Sequence, residues 1–105
     1  GMLTLLLTDN VPGLQIYTNN EWTNIEYKEN RFIINIGDAL QIWTNGRYLA
    51  TKHRVFISEK KDRYSAAFFF DPNYDCLVSC IPTICNDEIS KYKPIKYGTY
   101  LTQKY

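Results

Sequence analysis

Turn-forming residues cut this chain into short apolar runs about 8–12 residues apart, and that punctuation limits the fold more than any other feature. "MLTLLLT" (Met2–Thr8) is an apolar run of strand length, and "DNVPG" follows with Pro12-Gly13 suited to the centre of a type II turn. "LQIYT" ends at Asn19-Asn20, and in "EWTNIEY" Trp22, Asn24 and Glu26 alternate with Thr23, Ile25 and Tyr27. "KEN" then turns the chain into "RFIINI". Runs this short, separated by turns, form sandwiches or barrels and leave no room for a helical bundle.

After "IGD" the pattern changes. Asp38 is placed to cap a short helix through "ALQIW", which Asn45-Gly46 should stop. "RYLATKHRVFI" and "RYSAAFFFD" read as two long strands joined by the charged loop "SEKKD". "DCLVSCI" reads as a further strand ended by Pro82, and "YGTYLTQKY" as a helix begun after Gly98. No repeat, linker or low-complexity segment divides the 105 residues, so residues 1–105 are read as belonging to a single domain.

Twelve Lys and Arg against 11 Asp and Glu leave a net charge of +1, without the one-sided basic excess of a duplex-binding protein. "LLL" and "AAFFF" are far shorter than the roughly 20 residues that span a bilayer. Neither nucleic acid nor membrane is therefore expected as a partner, and with no signal-peptide pattern a cytoplasmic protein is expected. Cys76, Cys80 and Cys85 lie far in sequence from the single histidine and do not suggest a zinc site. They read as reduced packing thiols.

That histidine, His53, precedes an Arg-x-Ser pair by ten residues. A lone strand histidine is readily structural, and Arg63-x-Ser65 could be an exposed strand edge. Period-2 geometry nevertheless puts Arg63 and Ser65 on one face, about 7 Å apart. A guanidinium that binds two oxygens, beside a hydroxyl that donates a third bond, makes a carboxylate clamp. One histidine does not hold a catalytic ion by itself, because open ferrous sites use two histidines and a carboxylate.

The order of short motifs resembles the iron(II)- and 2-oxoglutarate-dependent oxygenases, in particular the isopenicillin N synthase-like branch. The motifs are "LTLL" (Leu3–Leu6), "VPGLQ" (Val11–Gln15), Trp22, "NIGD" (Asn35–Asp38), "TNGRY" (Thr44–Tyr48), "HRV" (His53–Val55), "RYS" (Arg63–Ser65) and "FFFDPN" (Phe68–Asn73). "KYKPIKYGTYL" (Lys91–Leu101) resembles the usual tail of that branch. The resemblance implies a mainly β double-stranded β-helix (jelly roll), here incomplete, with a short internal helix and a C-terminal helix. It implies that His53 is the distal iron ligand, and that Arg63 and Ser65 grip the distal carboxylate of 2-oxoglutarate. The implied cofactors are Fe(II) and 2-oxoglutarate as cosubstrate, and the implied partner is a small organic substrate.

One departure bears on activity. In the family a His-x-Asp motif just before the "LTLL" strand supplies the other two ligands, and here the chain begins at Gly1. Asp9, beyond the strand in turn chemistry and without a partner histidine, does not replace it. The chain thus looks like the C-terminal part of an oxygenase domain, expected to be inactive alone. The competing reading is a non-catalytic β-sandwich interaction domain that keeps the family pattern for folding only. Either way, unpaired strand edges such as "MLTLLLT" are expected to drive self-association, as a dimer or a strand-exchanged assembly.

Overall fold

The computed structural model describes residues 1–86 and 88–105. Its elements run β1 (Leu3–Thr8), β2 (Leu14–Thr18), β3 (Glu21–Asn24), β4 (Ile33–Ile36), α1 (Asp38–Trp43), β5 (His53–Val55) and β6 (Ser65–Phe70). There follow β7 (Leu77–Val78), α2 (Pro82–Cys85), β8 (Ile95–Lys96) and α3 (Tyr97–Lys104). Two three-stranded antiparallel sheets, ordered β4-β1-β6 and β3-β2-β5, take turns in receiving the chain; β7 and β8 form a separate ribbon. This alternation between sheets is a jelly roll, with three strands per sheet where a complete eight-stranded one has four.

Asparagines make several of the turns. Asn19 and Asn20 both have positive φ, 53° and 64°, as a two-residue hairpin turn of the primed type requires. The helix α1 stops where the sequence places its end, with Asn45 at φ 51° and Gly46 at φ 80°. Pro12-Gly13 differs from expectation. A type II turn needs positive φ at the second central residue, and Gly46 is the only glycine with one among the described residues.

The two long strands after Gly46 are shorter than expected. "RYLATK" contributes no strand, because two of its backbone donors are taken by α1 and its C-terminal cap. Tyr48 N–H donates to Thr44 Oγ1 at 3.1 Å and Ala50 N–H to Gln41 Oε1 at 2.7 Å. Only His53–Val55 pairs, and Arg63 lies just outside β6. "DCLVSCI" likewise shrinks to Leu77–Val78, since Ile81 N–H donates to the Trp43 carbonyl at 3.1 Å. Pro82 does more than end a strand: it opens α2, where its missing N–H costs nothing. That turn brings Cys85 back to Cys80, with Cα atoms 6.1 Å apart, and the two are joined as a disulfide. The expectation of reduced thiols therefore stands only for Cys76.

The best-buried apolar cluster does not lie between the two sheets. It gathers Ala39 of α1, Val78 of β7 and Tyr97 of α3, with Ile42, Trp43 and Leu101 packed around them. The β4-β1-β6 sheet is by contrast open. Phe68, Phe69 and Phe70 are all at least half exposed, at 63%, 63% and 50%. Tyr48 is exposed as well, whereas Trp43 packs against the core cluster.

Asp38 is not the cap of α1. Gly37 occupies that position, and the Asp38 carboxylate instead joins α1 to α3. Tyr100 Oη donates to Asp38 Oδ2, and Lys104 Nζ reaches the same oxygen at 3.1 Å. Burial pushes the Asp38 pKa up, but the bonds from Tyr100 and Lys104 more than offset it, so the carboxyl lies below its ordinary value of 3.8. A depressed carboxyl stabilises the fold above that ordinary value and loses the effect as pH falls through the lower folded one. Asp38→Asn should cost about 0.5–1 kcal/mol at pH 7, discounted for partial exposure. Denaturant titration of both proteins checks this: the gap between them should close once the wild-type carboxyl is protonated.

Candidate active site

The mouth between the two sheets is a cleft of about 310 Å³, walled by Thr8 and Ile33 on one side and by Leu14 and Ile25 on the other. The Asp9–Gly13 loop forms its floor, and Arg63 enters it. Arg63 Nε donates to the Val11 carbonyl at 3.2 Å. Its two terminal nitrogens have no partner among the described residues. Gly13 explains how the stem fits. A Cβ added there would sit 2.9 Å from Arg63 Cδ and 3.0 Å from Nε, so a side chain at this position would push the arginine aside. Close approach, not a left-handed turn, is what the glycine provides.

Ser65 pairs directly with Thr8 across β1 and β6. Directly opposed residues share a face, so Ser65 stands on the side of the sheet whose Thr8 lines the cleft. Arg63 therefore lines the cleft, from the loop and not from the strand, whereas Ser65 shares the face of Thr8 but is not itself a wall of the cleft.

His53 comes from the other sheet. It pairs with Ile16, and its neighbour Val55 pairs with Leu14, which lines the cleft. His53 therefore shares the inward-facing side of β2 and β5 but is not itself a wall of the cleft. Its Nδ1 lies 3.1 Å from the Thr51 carbonyl. A carbonyl only accepts, so Nδ1 is the donor in this contact and Nε2 is the ring nitrogen not engaged by it. Arg54, one residue on, faces the opposite way. Its guanidinium lies 4.1 Å over the Trp22 ring, and its Nε donates to Gln15 Oε1 at 2.8 Å.

Asp9 has both carboxylate oxygens occupied by backbone donors, Val11 N–H at 3.0 Å and Tyr64 N–H at 2.7 Å. These bonds, that from Tyr64 first, hold its pKa below the ordinary 3.8 against the effect of desolvation. A carboxylate so engaged is a loop clasp. No cluster of three or more His, Cys, Asp or Glu side chains able to hold a metal ion occurs among the described residues. One imidazole is two ligands short of a ferrous site, so the residues of this chain do not by themselves fit an iron ion. The terminal nitrogens of Arg63, by contrast, are placed at the cleft with donors suited to a carboxylate.

The 2OG-Fe(II) oxygenase superfamily model matches residues 1–72. The chain belongs to that family. A flavonol synthase/flavanone 3-hydroxylase of Matthiola incana is 35% identical over 103 residues, which are 97% of this oxygenase chain and 35% of that protein. Gibberellin 2-beta-dioxygenase 8 of Arabidopsis thaliana is 42% identical over 78 residues, 74% of this chain and 23% of that protein. Among solved structures, JOX2 in complex with 2OG, Fe and JA superposes with a TM-score of 0.91 at 32% identity, covering 98% of this chain and 31% of that one. The dioxygenase for auxin oxidation in rice gives a TM-score of 0.88 at 31% identity, covering 99% of this chain and 37% of that one. The oxygenase chain thus spans about a third of the length of the curated relatives it matches.

Sequence reasoning missed the clasp at Asp9 and the orienting carbonyl of Val11. The only available signal was the glycine two residues after Val11, and periodicity does not reveal that its neighbour in space is Arg63. No helix among the described residues is long and apolar enough to cross a membrane.

Proposed function

We propose that this chain is the C-terminal part of an oxygenase domain that couples 2-oxoglutarate decarboxylation to iron(II)- and O2-dependent oxidation of a small organic substrate. The observation that carries the reading is Arg63, pinned through Nε with both terminal nitrogens turned loose at the cleft, while Ser65 pairs with Thr8, which lines it. In this reading those nitrogens and the Ser65 hydroxyl bind the distal carboxylate of 2-oxoglutarate, and His53 offers Nε2 as one iron ligand. The other two ligands come from the rest of the domain, and these 105 residues alone are inactive. Bound iron would supply the site at which dioxygen is activated; the residues present here orient the cosubstrate beside it. The test is 2-oxoglutarate consumption by the whole protein with and without ferrous iron. A protein carrying His-x-Asp upstream of Leu3 that consumes none would overturn the enzyme reading in favour of an interaction domain.

The same reading predicts how the isolated chain behaves. A compact chain of 12.3 kDa exposes roughly 6,100 Å², with a radius of gyration of about 13 Å. This one exposes 7995 Å² at a radius of gyration of 15.9 Å. The excess is more than the roughly 800 Å² that each partner contributes to a standard interface, and Phe68, Phe69 and Phe70 lie in it. Produced alone, residues 1–105 should therefore sediment as a dimer or larger assembly, and a well-folded monomer at micromolar concentration would refute this.

A further inference from the structure

We propose that Asp9 is a positioning residue for the Arg63 clamp, acting through the loop that carries the Val11 carbonyl. The inference rests on the reading of Arg63 as the cosubstrate's carboxylate partner. A guanidinium gives a two-point clamp only when its plane is fixed, and an arginine at a strand entrance has several free torsions. Two contacts restrict Arg63: the bond from Nε to Val11 O, and the fit of its stem against Gly13. Both partners lie in one five-residue loop that forms no part of either sheet. The position of that loop relative to Arg63 is therefore what sets the direction of the clamp.

Asp9 fixes that position from both ends. Oδ1 accepts from Val11 N–H at 3.0 Å, holding the peptide next to the orienting carbonyl. Oδ2 accepts from Tyr64 N–H at 2.7 Å, on the residue that follows Arg63. Asp9 N–H in turn donates to the Tyr64 carbonyl at 3.1 Å. The result is a closed ring, from Asp9 to Val11, across to Arg63, along to Tyr64 and back. An ionised carboxylate suits the place because both donors point at it and neither needs to be shared. Asparagine keeps the size but turns an amide N–H toward one of those donors, so one strut of the ring is lost.

The experiment uses the whole protein loaded with ferrous iron, and measures 2-oxoglutarate binding by anaerobic equilibrium dialysis alongside KM, kcat and melting temperature. Asp9→Asn should weaken 2-oxoglutarate binding and raise its KM about 3- to 10-fold, with kcat and iron content unchanged. Combined with Arg63→Lys it should add nothing further, because Asp9 acts only through the guanidinium. A lower melting temperature with unchanged affinity would overturn the proposal, reducing Asp9 to a structural clasp. An effect of Asp9→Asn that persists in full on the Arg63→Lys background would also overturn it. If Arg63→Lys itself leaves binding intact, the cosubstrate reading fails and takes this inference with it. If only the Asp9 variants bind normally, that reading stands and Asp9 alone is removed. Should Asp9→Asn fold poorly, Gly13→Ala presses on the same arginine from the other side and should show the same affinity loss without touching the clasp.

Discussion

The whole protein carrying His53→Ala should fold and yet retain no iron. Within the described residues His53 makes one hydrogen bond, to the Thr51 carbonyl, so removing the ring breaks a single contact there. Loss of one such contact costs about 0.5–1.5 kcal/mol. Ligation is different. A site of three protein ligands reduced to two has lost a third of its donors and its facial geometry. Iron per protein, measured by elemental analysis after desalting, should fall from near one to near zero while the far-ultraviolet dichroism is unchanged. Iron retained at the wild-type level would remove His53 from the site.

Arg63→Lys should act on the cosubstrate and spare the metal. Lysine keeps the positive charge, but it has no Nε–H to give Val11 and no second nitrogen to match a carboxylate. The loss of a charge-assisted, two-point contact is worth about 1.5–3 kcal/mol. That corresponds to an increase of roughly 10- to 150-fold in the 2-oxoglutarate concentration needed for half-maximal turnover. Iron content should be unchanged. A variant with normal 2-oxoglutarate affinity would exclude Arg63 from the clamp.

The turns and the apolar runs were legible because their causes are local. Asn19-Asn20 and Asn45-Gly46 adopt the positive φ that their residue types tolerate; the runs on either side of Asn19-Asn20 are strands, and α1 ends before Asn45-Gly46. Lengths were not legible where a distant partner decided them. Nothing in "RYLATK" says that its donors are taken by Gln41 and Thr44, and a β-rich reading of those residues is otherwise sound. The disulfide was hidden for a related reason: cysteine spacing does not reveal that Pro82 starts a helical turn between the two sulfurs. At the site, residue types suggested roles for Arg63, Ser65 and His53, but gave no sign of the contacts around Arg63. Asp9 meets Tyr64 across 55 positions of sequence, which only the sheet topology brings together.

The opposed faces of His53 and Arg54 give β5 an all-or-none character. A strand of three residues has little ladder to hold its alignment, and sliding it one position along β2 would exchange the two side chains. An imidazole would leave the face that Leu14 shares and a guanidinium would take its place, with the sheet hydrogen bonds remade. Such a protein would look folded by every bulk measure and would no longer present the imidazole on this face. The stacking of Arg54 on Trp22, its bond to Gln15 and the bonds from Tyr17 N–H to Lys52 O and from Phe56 N–H to Gly13 O, both 2.8 Å, act together as a ratchet against that slip. Added residues between Arg47 and Thr51 should thus be absorbed by the loop, whereas one added between Lys52 and Phe56 flips the parity of the strand.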